Sequence, residues 1–534
     1  MTIENTQPLL GLQFNNTFVT ELPADPETEN YRRQVFNACY SFVSPQAFAD
    51  PKLVAYSKEM AEELGLSSQT CQTDLFTQVF AGKTLLDGMQ PHAQCYGGHQ
   101  FGHWAGQLGD GRAINLGEVN GRHGRRWSLQ LKGAGETPYS RTADGLAVLR
   151  SSIREFLCSE AMHHLGIPTT RALSIIETGE SVIRDMFYDG RPQAEPGAVV
   201  CRVAPSFLRL GSYELFTSRG DIDTLKTLAD YTLRHHFPHL GEPSPSTYLR
   251  WFEEICERTA EMITHWMRVG FVHGVFNTDN TSVLGLTIDY GPYGWIDNYD
   301  PDWTPNTTDA TGKRYRFGAQ PQIAQWNLLQ MANAIYPLIN DAEPLRQILS
   351  DYVDLYMKKW EQMRADKLGL VAFKPEDNDL HNDLNTLLQR IETDMTLFYR
   401  NLAKLSVHDS QKSDDELVAP LADAYYAPDK LSAHDKQATA HWLRRYLIRA
   451  QQDGLNDNVR QQRMNQVNPK YVLRNYLAQM AIDKAEQGDY SLVNELLDVM
   501  RHPYDEQPYY QRYAEKRPDW ARQRPGCSML SCSS

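Results

Sequence analysis

Residues 96–117 read Tyr-Gly-Gly-His-Gln-Phe-Gly-His-Trp-Ala-Gly-Gln-Leu-Gly-Asp-Gly-Arg-Ala-Ile-Asn-Leu-Gly, and residues 127–132 read Trp-Ser-Leu-Gln-Leu-Lys. Positions 97–117 hold seven glycines in 21 residues, where the chain's 34 glycines in 534 predict about one. Glycine adopts φ > 0 and lets backbone N–H groups approach a ligand closely, so this loop suits a phosphate cradle, with Arg112 as a bidentate donor. Glycine content alone leaves a tight turn equally open. The segment after the Asn120-Gly121 turn alternates, with Trp127, Leu129 and Leu131 on one face and Ser128, Gln130 and Lys132 on the other, which predicts a half-buried strand. A strand lysine just beyond a Gly-rich loop is the arrangement that pairs nucleotide phosphates, and it needs a carboxylate to hold it. Glu155 is the candidate, on a helix predicted over 146–165 from apolar residues at 146, 149, 153, 156, 157, 161 and 165, ended by Gly166 and Pro168. Singly, Lys132 and Glu155 read as solvated charges; in series with the loop they read as an ion pair.

Working outward, the texture changes near residues 90, 205 and 400. Residues 1–90 mix loops with a helical stretch over Pro51 to Leu64 and form an N-terminal extension. Residues 91–204 are loop and strand, and residues 205–405 are dominated by apolar spacing of three and four. Residues 406–534 form a polar, mostly helical C-terminal extension with an irregular tail from Arg501. A strand-rich half before a helix-rich half predicts an α+β core of two lobes, an N-lobe over 91–204 and a C-lobe over 205–405, with a cleft between them.

The second constellation is His273-Gly-Val-Phe-Asn-Thr-Asp-Asn280 followed by Asp289-Tyr-Gly291. An amphipathic helix carrying Trp251, Ile255, Met262, Ile263, Trp266 and Met267 feeds it, and an apolar hairpin-like segment over Val283 to Ile288 returns the chain to Asp289. Mg²⁺ takes oxygen ligands from one or two carboxylates plus phosphates, which suits Asn280 and Asp289 and leaves Asp279 for proton abstraction. Either half alone would read as an Asx turn or a loop cap. The order of parts is that of a protein kinase, but His273-Gly274-Val275 has valine where the base would stand, and valine accepts no proton. A γ-phosphoryl-transferring kinase with an unusual base and an inactive pseudokinase scaffold are the alternatives.

Composition sets outer bounds. With 53 Lys+Arg against 67 Asp+Glu the net charge is −14, which argues against broad nucleic-acid binding. No run approaches 18 apolar residues and Met1 to Leu22 lacks a basic start, so neither a membrane span nor a signal peptide is expected and the expected compartment is cytoplasmic. The eight cysteines include no C-x-x-C pair, and of them only Cys527 and Cys532 read as exposed.

The runs Tyr-Gly-Gly-His-Gln-Phe-Gly (96–102), Leu-Lys-Gly-Ala-Gly (131–135), Thr-Pro-Tyr-Ser-Arg (137–141), Asn-Thr-Asp-Asn (277–280), Asp-Tyr-Gly-Pro (289–292) and Asn-Pro-Lys-Tyr-Val-Leu-Arg-Asn (468–475) resemble the selenoprotein O family. These are kinase-fold protein adenylyltransferases that include the bacterial YdiU proteins, and the resemblance covers nearly the whole chain. It implies that ATP binds in a flipped orientation and that AMP moves to Ser, Thr or Tyr hydroxyls of proteins, with Mg²⁺ or Mn²⁺, and UMP transfer from UTP as a near variant. It further implies nucleotide contacts from Gly109, Gly111, Arg112, Asp144 and Gly145, phosphate pairing by Lys132 held by Glu155, phosphate charge bound by Arg202 and Arg209, proton acceptance by Asp279, and metal ligation by Asn280 and Asp289. Without it, Arg202 and Arg209 read as surface residues. Two departures stand out: the family's Asp-Gly-Arg is Asp144-Gly145-Leu146 here, and Met529 takes the first position of the terminal C-x-x-U/C pair, leaving Cys527 and Cys532 five apart.

Overall fold

The computed structural model describes residues 11–531. Its strands up to residue 204 are β1 (Gln13–Phe14), β2 (Tyr40–Phe42), β3 (Lys52–Tyr56), β4 (His92–Gln94), β5 (Gly97–Gln100), β6 (His103–Gln107), β7 (Ala113–Asn120), β8 (Arg126–Lys132), β9 (Arg171–Arg184) and β10 (Gln193–Ala204). Eight of them form an antiparallel sheet in the order β2-β4-β7-β8-β10-β9-β3, with β1 added to β7, while β5 and β6 make a separate hairpin.

The alternation in 127–132 does produce a strand, but a central one. Leu129 and Leu131 enter a core with Leu116, Val199, Phe76 and Phe80, while the polar face is covered too: Gln130 is 0% and Lys132 8% exposed. Between β8 and β9 runs the helix Leu149–His164, inside the predicted bounds and packed on β9 and β10. The helix expected over Pro51 to Leu64 is a misreading. Residues 52–56 are β3, hydrogen-bonded to the β9 edge, and only Lys58–Glu63 is helical, started by Ser57, whose hydroxyl accepts from Met60 N at 3.2 Å. Pairing with an open sheet edge overrides the local apolar spacing. Through β2 and β3, the described part of the segment before residue 90 is built into the same sheet.

After residue 204 the chain is largely helical, with Leu210–Arg219, Ile222–His236, Pro245–Val269, Gln320–Ile339 and Ala342–Lys367 as the main helices up to 370. The apolar stripe of Pro245–Val269 is buried as its spacing predicts, with Trp251, Ile255, Ile263 and Trp266 at 0% exposure. In the C-terminal part, Arg474 forms a buried ion pair with Asp394 at 2.7 Å, and Asn475 bonds both backbone groups of Trp295, so the 468–475 run fastens the last helices to the rest. The architecture is thus mixed: an antiparallel sheet with helices on it, followed by many helices. None of those helices, among the described residues, is long and apolar enough to cross a membrane.

The tail also departs from expectation. Cys527 is buried, and burial pushes its thiol up to about 11, because the chain folds back so that Leu530 N donates to the Pro305 carbonyl at 2.9 Å and Thr307 N to the Leu530 carbonyl at 2.7 Å. Cys532 lies outside the described residues.

Candidate functional site

A cavity of about 670 Å³ opens between the sheet and the 275–292 loop, a size that suits a nucleotide. Strand parity builds one wall. Gln130 and Lys132 point to the same face of β8, and Arg202 lies across from Gln130 in the β8–β10 ladder, so these side chains meet on one face. Lys132 Nζ lies 2.6 Å from Glu155 Oε2, the ion pair expected from the sequence. Burial pulls the Lys132 ammonium down, and the Glu155 carboxylate opposes that.

The floor is the loop after Pro245–Val269. His273 Nε2 donates to the Ile288 carbonyl at 2.8 Å and its ring stacks on Trp266, so the histidine braces the residue before Asp289. Asp289 sits at φ +57, a left-handed conformation that asparagine and aspartate tolerate better than most residues. Its two carboxylate oxygens accept from Arg202 Nη1 and Arg209 Nη1 respectively. Burial would raise its pKa, but Arg209, Arg202 and Lys132 outweigh that and hold it well below the usual carboxylate range. Asp279, ten residues earlier in the chain, is the opposite case. Burial pushes it up to about 7, against a hydrogen bond from Gln100 Nε2 to Oδ2 at 3.1 Å, and its Oδ1 is buried with no partner.

Of the residues singled out in the sequence, Gly109, Gly111, Arg112, Lys132, Asp144 and Arg202 line the cavity, as do Asp279, Asn280 and Asp289. Three do not. Glu155 stands behind Lys132, Arg209 stands behind Asp289 at 1% exposure with its guanidinium over the Tyr96 ring, and Gly145 serves the backbone. At φ +71, a Cβ on Gly145 would come 2.2 Å from the Gly135 carbonyl, so only glycine lets those two loops touch. The Gly-rich stretch divides as well: Tyr96 and residues 108–113 line the cavity, whereas β5 and β6 contribute only Gln100.

Sequence reasoning missed three groups. Arg184 lines the cavity, grips both oxygens of Asp144 at 2.7 and 2.8 Å and donates to the Leu146 carbonyl, so a guanidinium stands beside Leu146 although the chain lacks an arginine there. Asp110, 2% exposed, accepts from Gln94 N, Asn115 and Gln130, tying the loop to the sheet. Gln130 in turn accepts from Arg202. An aspartate within the Gly-rich run was the one available signal; Arg184 has none, being one of many strand arginines.

Beside Asp279, the donor set at the floor is all oxygen: the Asp289 carboxylate and the Asn280 amide. That composition fits a hard divalent cation. Elsewhere Glu59, Glu160 and His164 bring ligand atoms within 4.8 Å of one another, but both Glu160 oxygens already accept from Arg171, Ser57 and Ala172 N, which leaves them little for a metal.

A family model described as Protein adenylyltransferase SelO matches residues 26–501. The chain is similar to proteins named Protein nucleotidyltransferase YdiU: that of Rhodopirellula baltica is 59% identical over 536 residues, covering 98% of this chain and 99% of the relative. The one from Azoarcus sp. (strain BH72) is 60% identical over 523 residues, and that from Xanthomonas axonopodis pv. citri 58% over 523 residues, each covering 98% of this chain and 99% of the relative.

Proposed function

We propose, from the premise that this chain belongs to the SelO family of protein adenylyltransferases, that it transfers AMP from ATP to Ser, Thr or Tyr hydroxyls of other proteins. The observation that carries the reading is the pair of cavity carboxylates in opposite settings, Asp289 clamped by two arginines and Asp279 with a buried, unpartnered oxygen. In this reading Asp279 takes the proton of the acceptor hydroxyl as its oxygen bonds to the α-phosphorus and pyrophosphate leaves. Lys132, steadied by Glu155, and Arg202, backed by Arg209, set positive charge along the phosphates, while Gly109, Gly111 and Arg112 hold the nucleotide with Asp144 and Gly145. Mg²⁺ or Mn²⁺ would be held by Asn280 and Asp289 and would supply Lewis-acid neutralisation of phosphate charge when bound. Val275 lines the cavity with no proton-accepting group, which supports a geometry other than γ-phosphoryl transfer.

The reading includes a kinase-like bilobal core, lobes 91–204 and 205–405, with 1–90 and 406–534 as extensions, UTP as a second donor, and the cytoplasm as compartment, in keeping with the seven described cysteines being free thiols. A paired labelling assay tests it. The protein is incubated with candidate substrate proteins, Mg²⁺ or Mn²⁺, and ATP labelled at the α- or the γ-phosphate. Label on protein from α alone, lost in Asp289→Ala, is expected; label from γ alone makes the chain a kinase, and label from neither makes it a scaffold.

A further inference from the structure

Of the β5–β6 hairpin only Gln100 reaches the cavity wall, and the contacts of β5 say what the hairpin does. Three successive residues along the end of β5 grip the loop that carries Asp279. His99 N donates to Thr278 Oγ1 at 2.7 Å, Gln100 Nε2 to Asp279 Oδ2 at 3.1 Å, and Phe101 N to Asn277 Oδ1 at 3.2 Å. The approach is close because Gly98 has no side chain: a Cβ there would lie 2.8 Å from Asp279 Cβ and 2.9 Å from its Oδ1. The hairpin is itself anchored from behind, where His99 Nδ1 pairs with buried Glu214 and Gly211 lets the next helix pack on the Gly97 carbonyl.

The Gln100 amide is the one side-chain donor to the Asp279 carboxylate among the described residues. Arg209 holds only the Asp279 backbone carbonyl, at 2.8 Å. A carboxylate with one anchored oxygen has a defined orientation; without the anchor it rotates about Cβ–Cγ. We infer that Gln100 is a positioning residue, holding the Asp279 carboxylate through Oδ2 in the orientation that accepts the proton, with the Gly98–Phe101 segment as a clamp on the reacting loop. This rests on the reading of Asp279 as proton acceptor.

Gln100→Met keeps the length and bulk and removes the donor; the backbone bonds of His99 and Phe101 remain. In steady-state AMP transfer from α-labelled ATP, kcat falls about 10- to 100-fold, the cost of a misaligned reacting group, while KM for ATP stays within about twofold and Mg-ATP raises Tm as in wild type. Gln100→Glu, which sets a carboxylate against Asp279, falls at least as far and serves if the first variant is unstable. An unchanged kcat in either folded variant, or a raised KM at unchanged kcat, overturns the inference and leaves the proposed function standing. A wild-type protein that transfers no α-label overturns both.

Discussion

Asp279 and Asp289 share one cavity and one loop system, yet their neighbours separate them: burial dominates at the first and two guanidiniums at the second. Their substitutions therefore fail in different ways. Asp279→Ala is expected to lower α-label transfer at least about 100-fold, the scale of a lost proton acceptor, while Mg-ATP still shifts Tm. Transfer at the wild-type rate contradicts the assignment. Lys132→Ala should do the reverse, weakening the Mg-ATP thermal shift more than it lowers the Tm of the free protein, since bound ligand adds stability in proportion to its affinity. These residues were legible because each carries its own local pattern: Lys132 the strand alternation, Glu155 the helix spacing, Asp279, Asn280 and Asp289 a dense polar motif. Arg202, Arg209 and Arg184 carry none. Arg202 takes its meaning from Asp289 and Glu155, 87 and 47 positions away along the chain, Arg209 from Asp289, 80 away, and Arg184 from Asp144, 40 away. No local spacing reports such a distance.

Elements were legible where the local pattern and the tertiary context agree. Leu149–His164 and β8 have both, whereas residues 52–56 have helical apolar spacing and a vacant β9 edge to pair with, and the edge decides. The same helix and β9 are joined by Glu160, 0% exposed, which binds Arg171 bidentately at 2.8 and 2.6 Å. Burial raises the Glu160 pKa, but Arg171, Ser57 and Ala172 N lower it further, so it lies below its ordinary value in the folded state. A carboxyl depressed in this way stabilises the fold above its unfolded pKa, about 4.3, and that contribution is lost as pH falls through the folded value. Thermal unfolding should accordingly show Glu160→Gln less stable than wild type at neutral pH, by about 3–5 kcal/mol for a broken buried pair, with the gap narrowing below about pH 4. A gap that holds constant into acid contradicts this. Gly211→Ala probes the hairpin's seat: its Cβ would lie 2.0 Å from the Gly97 carbonyl oxygen, and overpacking of that kind costs about 1–3 kcal/mol.

At the scale of the whole chain, the segment beyond the family match, residues 502–531, closes the structure onto its own functional loops. Arg517 pairs with the buried Asp297 at 3.3 Å, and Leu530 bridges Pro305 and Thr307, between which Asn306 donates to the Gly274 carbonyl at 3.0 Å. Gly274 and Val275 open the loop that carries Asp279, so the tail stands only a few contacts from the cavity. Its irregular, polar composition concealed this, because a segment with no periodicity of its own takes its conformation from the surface it meets. A chain ending at Arg501 is therefore expected to fold less stably, since Asp297 loses one of its two arginines and the Pro305–Thr307 backbone loses its partners. It should also transfer AMP more slowly than the full chain at a temperature where both are folded. Arg517→Met isolates the first effect by removing the charge at Asp297 while Leu530 stays in place. It should lower Tm and leave kcat close to wild type, whereas Leu530→Pro, which removes the N–H that the Pro305 carbonyl accepts, should lower kcat through the 305–307 contact. If truncation leaves both Tm and kcat unchanged, the tail is a passive appendage. If it lowers Tm alone, the tail supports the fold without setting the loop.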